Sequence, residues 1–497
     1  MTGRLVGSIA TVATVLAGVM AISQAHTAGD AACVASPAPP PQSPAYADTP
    51  WPTEHADMWR THAAPTGLPA NVRRAELATT SATLPEEPVW GYVGTGGKLY
   101  VIGGSPYLLN MFTALMQGAS TDRIPTLTAR TLVAARRVTP YVAQIDARTM
   151  KVRLLRLERG AAINYSGGLL VHADGHLYAV VRGVLYKIDR QRFSIVASRL
   201  LPLARTSGRP NLMTTYNGIV ATRTGDLILK GWASTGDGGA PGTLLRVDPR
   251  TLRIEAHIQS DAIASARMAL VEEGGDEYVY FPGKTQSVRF LVQPKTFALD
   301  ESWSTTYLGS GDTMASSDVF MGKGVLFAGN TSPQAATPMR VFAQGTAPDA
   351  PLHAMDAFAP REIGWNFFMM AGDPYESGIA AVQDQATGRV AGYLACDGGT
   401  SFEKRWQNDR IRSSAGMAVN YRAGHLYTDD RRCSSRRRCK LFLVVLDLRT
   451  GRELARVRVK GTKPSMGQIF VGRGAVYYVA AQTGSGRGYV TRVTVAR

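Results

Sequence analysis

The chain has 497 residues, 45% of them hydrophobic and only 19% charged, a balance that supports a packed body and excludes wholesale disorder. With 51 Gly and 27 Pro it turns too often for long helical bundles. Lys plus Arg exceed Asp plus Glu by 55 to 38, a net charge of +17, which draws anionic partners to the surface without fixing a fold or naming a substrate.

The first four residues make a short basic start, residues 5–22 are uncharged and weakly apolar, and Ser23-Gln24-Ala25 supplies the small residues that a signal peptidase reads. Residues 1–25 are therefore expected to be a cleaved secretory signal. A retained anchor is the competing reading, although Gly, Ser, Thr and Ala dilute the stretch more than a stable span prefers. No later segment approaches the ~20 apolar residues of a transmembrane helix. The mature chain is expected to be a secreted or periplasmic monomer, and export argues against nucleic acid as its partner. Four cysteines agree with an oxidising compartment. Cys433 and Cys439 flank a short tip and are expected to pair, leaving Cys33 and Cys396 as the second pair. No C-x-x-C spacing supports a zinc site.

Residues 26–71 are read as a Pro-rich tail and docking segment. Seven prolines fall within residues 36–52, a composition that favours extended conformations and suits a tether. The stretch that follows holds Trp51, Glu54, His55, Asp57, Trp59 and His62, the densest histidine and carboxylate patch in the chain. Metal binding there is conceivable, but the preferred reading docks the segment through Trp51 and Trp59 and leaves its polar groups in water. From residue 72 to 497 the text becomes short β-type runs separated by turns. One insertion, residues 105–137, interrupts it with Ser105-Pro106 and apolar Leu108, Leu109, Phe112, Leu115 and Met116 at helical spacing. It is expected to lie as a lid over one channel mouth or as a flank support.

The β region repeats. Residues 164–201 hold four short strands joined by tight turns, which is one propeller blade. The third-to-fourth turn of this unit recurs at Asp146-Ala147-Arg148-Thr149, Asp248-Pro249-Arg250-Thr251, Gln293-Pro294-Lys295-Thr296, Asp384-Gln385-Ala386-Thr387 and Asp447-Leu448-Arg449-Thr450. An Asp opening such a turn accepts amide hydrogens two and three residues on, and Thr readily re-enters the β region. Glycine corners recur as first-to-second turns at Gly96-Gly97, Asp174-Gly175, Thr224-Gly225, Gly274-Gly275, Gly322-Lys323-Gly324, Ala423-Gly424 and Gly472-Arg473-Gly474, where glycine supplies the positive φ of a tight hairpin. Units beginning near 90, 165, 216, 266, 315, 365, 415 and 465 predict an all-β, single β-propeller of eight blades, with seven as the alternative. The last unit has only three strands, so residues 75–84 are expected to complete it and close the ring.

These turns resemble those of the quinoprotein alcohol dehydrogenase-like propellers, whose repeats carry a pattern of the type A-x-D-x-x-T-G-x-x-x-W. Asp447, Thr450 and Gly451 fit it best, and Asp384, Thr387 and Gly388 next. What the resemblance implies is fold. The tryptophan that docks successive blades in that family is replaced at Leu154, Ala197, Ala256, Gly392 and Ala455, no two cysteines are adjacent, and no C-x-x-C-H haem site occurs. Pyrroloquinoline quinone is therefore not expected as a cofactor, and fold likeness alone licenses no activity.

In a propeller, the loops that enter the innermost strands converge on the central channel. Those positions hold Asn164, Tyr165, Tyr216, Asn217, Arg267, Trp365, Asn366 and Lys463, whose amides and rings suit a small organic ligand or a glycan. Titratable groups within hydrogen-bond reach of one another at the channel would favour catalysis by a dehydrogenase, lyase or hydrolase, and a neutral aromatic floor would favour binding. Catalytic residues cannot be assigned from the sequence. His172, Asp174 and His176 read as a polar hairpin rather than a ligand set, and Asp373 with Glu376 supplies too few oxygens for calcium. No G-x-S-x-G, H-E-x-x-H or phosphate-loop signature occurs. Residues 431–440 pack six positive charges into ten residues, and Arg436, Arg437 and Arg438 are candidate contacts to an anionic cell-envelope polymer.

Overall fold

Among the described residues, eight sheets built on four antiparallel strands follow one another along the chain, with a two-stranded ribbon of Arg205–Thr206 and Arg209–Pro210 between the second and third. The computed structural model describes residues 33, 37–41, 43–72, 77–86, 88–95, 97–104, 139–157, 167–181, 183–206, 208–211, 214–233, 241–263, 267–283, 286–307, 317–329, 339–359, 370–384, 387–414, 416–435, 438–483 and 486–496. Residues 34–497 form one compact unit, and of the unit made by residues 1–33 only Cys33 is described. The expected signal segment 1–25 and helical insertion 105–137 lie outside the described residues.

The innermost strands are Pro88–Thr95, Gly167–Val171, Thr214–Ala221, Ala269–Glu273, Ser317–Phe320, Met370–Asp373, Ala418–Asn420 and Lys463–Gly472. Their starts fall within a few residues of the predicted blade starts. The first and last lie side by side, so the sheets form an eight-bladed propeller. Leu77–Leu84 pairs along its whole length with Gly488–Val495, placing an N-terminal strand at the outer edge of the eighth blade. The ring closes as the three-strand count predicts, and closure hides the edges a broken ring would expose. Alternation sends one face of each strand into the layer between blades. Leu170, Tyr178 and Leu185 of the second blade thus meet Tyr216, Ile219 and Leu229 of the third.

The Asp turns work as the sequence suggests. Asp146 accepts the amides of Arg148 at 3.2 Å and Thr149 at 2.8 Å, and Asp447 accepts those of Arg449 at 3.1 Å and Thr450 at 2.9 Å. The sixth blade corrects the reading, because Asp384 follows its second strand, Ile379–Gln383, not its third. Its third-to-fourth turn is Asp397-Gly398-Gly399-Thr400, between Val390–Cys396 and Ser401–Asn408. That strand carries a docking tryptophan. Trp406 lies over Gly392 and Gly451, and its indole donates to the Leu448 carbonyl at 2.9 Å in the seventh blade. Trp303 likewise donates to the Gly345 carbonyl of the fifth blade at 2.6 Å.

All four cysteines are disulfide-bonded. Cys433 joins Cys439 across the longest hairpin, His425–Ser435 and Arg438–Asp447, and Cys33 and Cys396 are also in disulfide linkage. Two disulfide-bonded pairs are consistent with an extracytoplasmic protein.

Gly451 has φ +66° and Trp406 lies where a Cβ would stand. Gly451→Ala should therefore cost about 1–3 kcal/mol, more than the about 1 kcal/mol expected for Asp447→Ala at the same turn. Urea denaturation of both variants checks the order.

Candidate functional site

Residues 45–64 do not dock on the outside of the propeller. They run through its centre and, from Trp51 onward, bond backbone to backbone with the innermost strands in ring order. The Trp51 carbonyl accepts the Gly94 amide at 2.9 Å in the first blade and the Pro52 carbonyl accepts Val171 at 2.7 Å in the second. Met58 then accepts Leu270, Trp59 accepts Phe320, Thr61 accepts Gly372 and His62 accepts Val419, at 2.8 to 3.0 Å, in the fourth to seventh blades. Ala63–Ala64 finally pairs in parallel with Ala418–Asn420. To turn so tightly the strap holds Ala56, Arg60 and His62 at positive φ of 74°, 60° and 55°, a conformation worth retaining only where neighbours fix it. The stretch read as a tether is engaged upstream too, with Ala38 bonded to Pro374 at 2.8 Å and Ala47 to Val171 at 3.0 Å.

The strap carries charge into the axis, so its polar groups are not left in water. Glu54, His55, Arg60 and His62 are each at most 4% exposed. A buried charge must find a partner, and the blades supply them. Arg60 pairs with Asp318 of the fifth blade and Arg267, just before the fourth, pairs with Glu54. Lys230, fully buried on the second strand of the third blade, donates to Asn217 Oδ1 at 3.0 Å. His55 Nδ1 and His62 Nε2 lie 2.6 Å apart, and His55 Nε2 is 3.9 Å from Glu54.

Desolvation governs how these groups titrate. Burial pushes Glu54 up against the pull of Arg267, and lifts Asp318 to about 6 against Arg60. Burial, reinforced by Arg60, lowers His62 to about 3 and His55 well below its ordinary value. Lys230 is pulled well down by burial and then by Arg267 and Arg60. Beside this cluster Asp57, pushed to about 6 by burial, accepts the Tyr375 hydroxyl at 2.5 Å and the Thr61 amide at 3.1 Å. Five buried atoms of the strap and its partner side chains make no hydrogen bond: the acceptors Glu54 Oε2 and Asp318 Oδ2, the donors Arg60 Nε and Trp51 Nε1, and the ring nitrogen His62 Nδ1. Such atoms call for ordered water or a polar ligand.

Of the sequence candidates, Asn217 and Arg267 meet at this cluster. Tyr216 is packed between the second and third blades, its hydroxyl on the Pro202 carbonyl at 2.6 Å. Lys463 is half-buried at the start of the eighth innermost strand. Asn164, Tyr165, Trp365 and Asn366 lie outside the described residues. Sequence reasoning missed Lys230 and Asp318. Lys230, within Leu227-Ile228-Leu229-Lys230, had a signal: a charge inside an apolar strand. His172 and His176 do converge on Asp174, at 3.0 and 3.2 Å, but Tyr178 and Lys187 share that carboxylate and the group braces a turn. Asp373 spends its oxygens on the amides of Tyr375, Glu376 and Ser377 at 2.9 to 3.0 Å. Among the described residues no group of three or more His, Cys, Asp or Glu is placed to hold a metal ion. Arg438 is exposed at the hairpin tip, and Arg436 and Arg437 lie outside the described residues.

Solved structures share this architecture. The quinohemoprotein alcohol dehydrogenase from Comamonas testosteroni superposes with a TM-score of 0.61 at 14% identity, over 91% of this chain and 82% of that one. The quinohemoprotein alcohol dehydrogenase ADHIIG from Pseudomonas putida HK5 gives 0.59 at 11% identity, over 91% and 80%. Sqt1 from Saccharomyces cerevisiae gives 0.51 at 9% identity, over 83% and 98%. No protein-family model and no curated protein sequence matches the chain. The fold is thus the eight-bladed propeller of the quinoprotein alcohol dehydrogenases, a likeness of fold alone at these identities. The four cysteines are not adjacent and all are disulfide-bonded, so the chain has no adjacent cysteine pair, and its own strap runs along the axis.

Arg60→Met should strand Asp318 as a buried unpaired charge and cost about 3–5 kcal/mol, and Arg60→Met with Asp318→Leu should recover much of it. Urea denaturation of the single and double variants measures this.

The strap also predicts an acid response. His62 binds its proton more weakly in the folded chain, so its contribution is fully present above its ordinary value of 6.5 and is lost as pH falls toward 3. Asp57 acts oppositely: its ionised form penalises the fold above about 6, and the penalty fades as pH falls to 3.8. His62→Gln should be destabilised at pH 7 and lose less than the parent between pH 6.5 and 4, as read by unfolding free energies across that range.

Proposed function

We propose that this protein is an exported, secreted or periplasmic binding propeller that recognises a small hydroxylated organic ligand, such as a glycan unit, where the channel meets the strap. One observation carries this reading: buried polar side chains from the third, fourth and fifth blades and from the strap converge on the axis, with both acceptors and donors left unsatisfied. Hydroxyl groups both donate and accept, so a polyol satisfies such a set where a purely anionic or purely cationic ligand satisfies half of it. The two disulfide-bonded pairs and the N-terminal apolar segment support export.

Untargeted native mass spectrometry on the mature protein from its own exporting cell should reveal a bound hydroxylated molecule. The variant carrying Asn217→Ala and Trp365→Ala should lose it. An empty parent protein, or equal retention by the variant, would overturn the reading.

A second reading, acid–base catalysis on the same ligand, is favoured by the contact between the His55 and His62 rings next to Glu54 and by the lowered lysine across the cluster. Time-dependent conversion of the identified ligand, abolished by His55→Gln with ligand affinity retained, would establish it. A further partner is proposed for the disulfide-held tip: an anionic cell-envelope polymer. Changing Arg436, Arg437 and Arg438 to Ser should lower the salt needed to elute the protein from a polyanion column, and unchanged elution would dispose of that contact.

A further inference from the structure

A cleft of about 320 Å³ opens between the first and last blades, on the face that carries the first-to-second and third-to-fourth turns. Antiparallel alternation puts this face at the opposite end of the channel from the loops that enter the innermost strands. Three arginines line the cleft from three different turns or strands: Arg148 after the third strand of the first blade, Arg473 in the first hairpin of the eighth, and Arg492 on Gly488–Val495. Tyr477 and Pro50 of the strap add a ring and an apolar wall.

The charges around this cleft do not cancel. Asp146 is the carboxylate in its lining, and it is already committed: Lys98 Nζ lies 2.8 Å away, and the Arg148 and Thr149 amides and the Thr149 hydroxyl donate to it at 2.8 to 3.2 Å. None of the three guanidiniums is ion-paired with a described carboxylate. Arg492 stands opposite Tyr477 in the sheet and hydrogen-bonds it, yet its Nε is sealed from solvent with no partner. A buried donor without an acceptor is costly, and like charges gathered in one concavity repel. The repulsion between the arginines is relieved when an oxyanion enters.

We propose that this cleft binds a phosphate ester. A phosphate monoester brings three non-ester oxygens and nearly two negative charges, which suits three guanidinium forks better than one carboxylate does. The cleft volume leaves room for a sugar-sized substituent against Tyr477 and Pro50. The ester belongs either to a free sugar phosphate or to the end of a phosphorylated polymer, and both present the same group. Because the arginines come from the two blades that close the ring, the ligand bridges the seam and should raise thermal stability as well as bind. This site shares no residue with the axial cluster, so its fate is independent of the ligand proposed there.

The test is isothermal titration at 0.15 M salt with glucose 6-phosphate, glucose and a soluble poly(glycerol phosphate) that ends in a phosphate monoester, alongside thermal unfolding. Arg148→Gln with Arg473→Gln is the principal variant, since both residues sit in exposed turns and should leave the fold intact. Glucose 6-phosphate is expected to bind and to raise the unfolding midpoint, and the double variant to weaken it by about tenfold or more. Binding of the polymer but not of the sugar phosphate would keep the site and assign it to the polymer. A control in which Arg436, Arg437 and Arg438 become Ser should bind as the parent does. The proposal is overturned if neither phosphate probe binds, if glucose binds as tightly as its phosphate, if the double variant binds unchanged, or if the tip control loses affinity equally.

Discussion

The free inner edges of the innermost strands set the terms for everything at the axis. A closed ring pairs its strands within each blade, but every innermost strand still turns one row of amides and carbonyls toward the channel. Such groups need partners once water is excluded. Here the partner is the chain itself: carbonyls of Trp51, Pro52, Met58, Trp59, Thr61 and His62 accept amides from six blades in turn. Left-handed backbone at Ala56, Arg60 and His62 is the conformational cost of following so tight a circle.

The chemistry of the axis follows from that backbone arrangement. Placing Glu54, His55, Arg60 and His62 on a strap that must lie inside the ring commits their side chains to burial, and the blades answer with Arg267, Asp318, Lys230 and Asn217. Net charge inside the cluster is kept small by pairing and by desolvation, which holds the histidines and the lysine toward their neutral forms. The result is a polar floor whose hydrogen-bonding capacity exceeds its internal partners.

Closure matters equally at the rim. Leu77–Leu84 reaches back to the last blade, so the N-terminal segment both lines the channel and locks the outer edge. Around the circumference, Trp303 and Trp406 tie the fourth blade to the fifth and the sixth to the seventh through indole hydrogen bonds to backbone carbonyls. The seam between first and eighth blades uses no such tryptophan among the described residues; it keeps a cleft ringed by Arg148, Arg473 and Arg492 instead.

By itself the sequence determined the blades, because a hairpin corner is a local matter: an Asp that caps its own turn and a glycine at positive φ need nothing distant to act. It located the blade starts for that reason and the closing strand from the three-strand count of the last unit, and it misplaced the turn of the sixth blade, where two Asp-to-Thr turns, at Asp384 and Asp397, competed for one role. The tertiary structure alone decided where the strap goes. Its histidines and carboxylates read as solvated because polar composition carries no record of the carbonyl-seeking edges that capture the backbone beside them. Lys230 and Asp318 belong to the same lesson, since each is one charge in an apolar strand until the ring brings them, with Arg60 and Glu54, to a common axis. Long-range convergence, not local preference, makes that site.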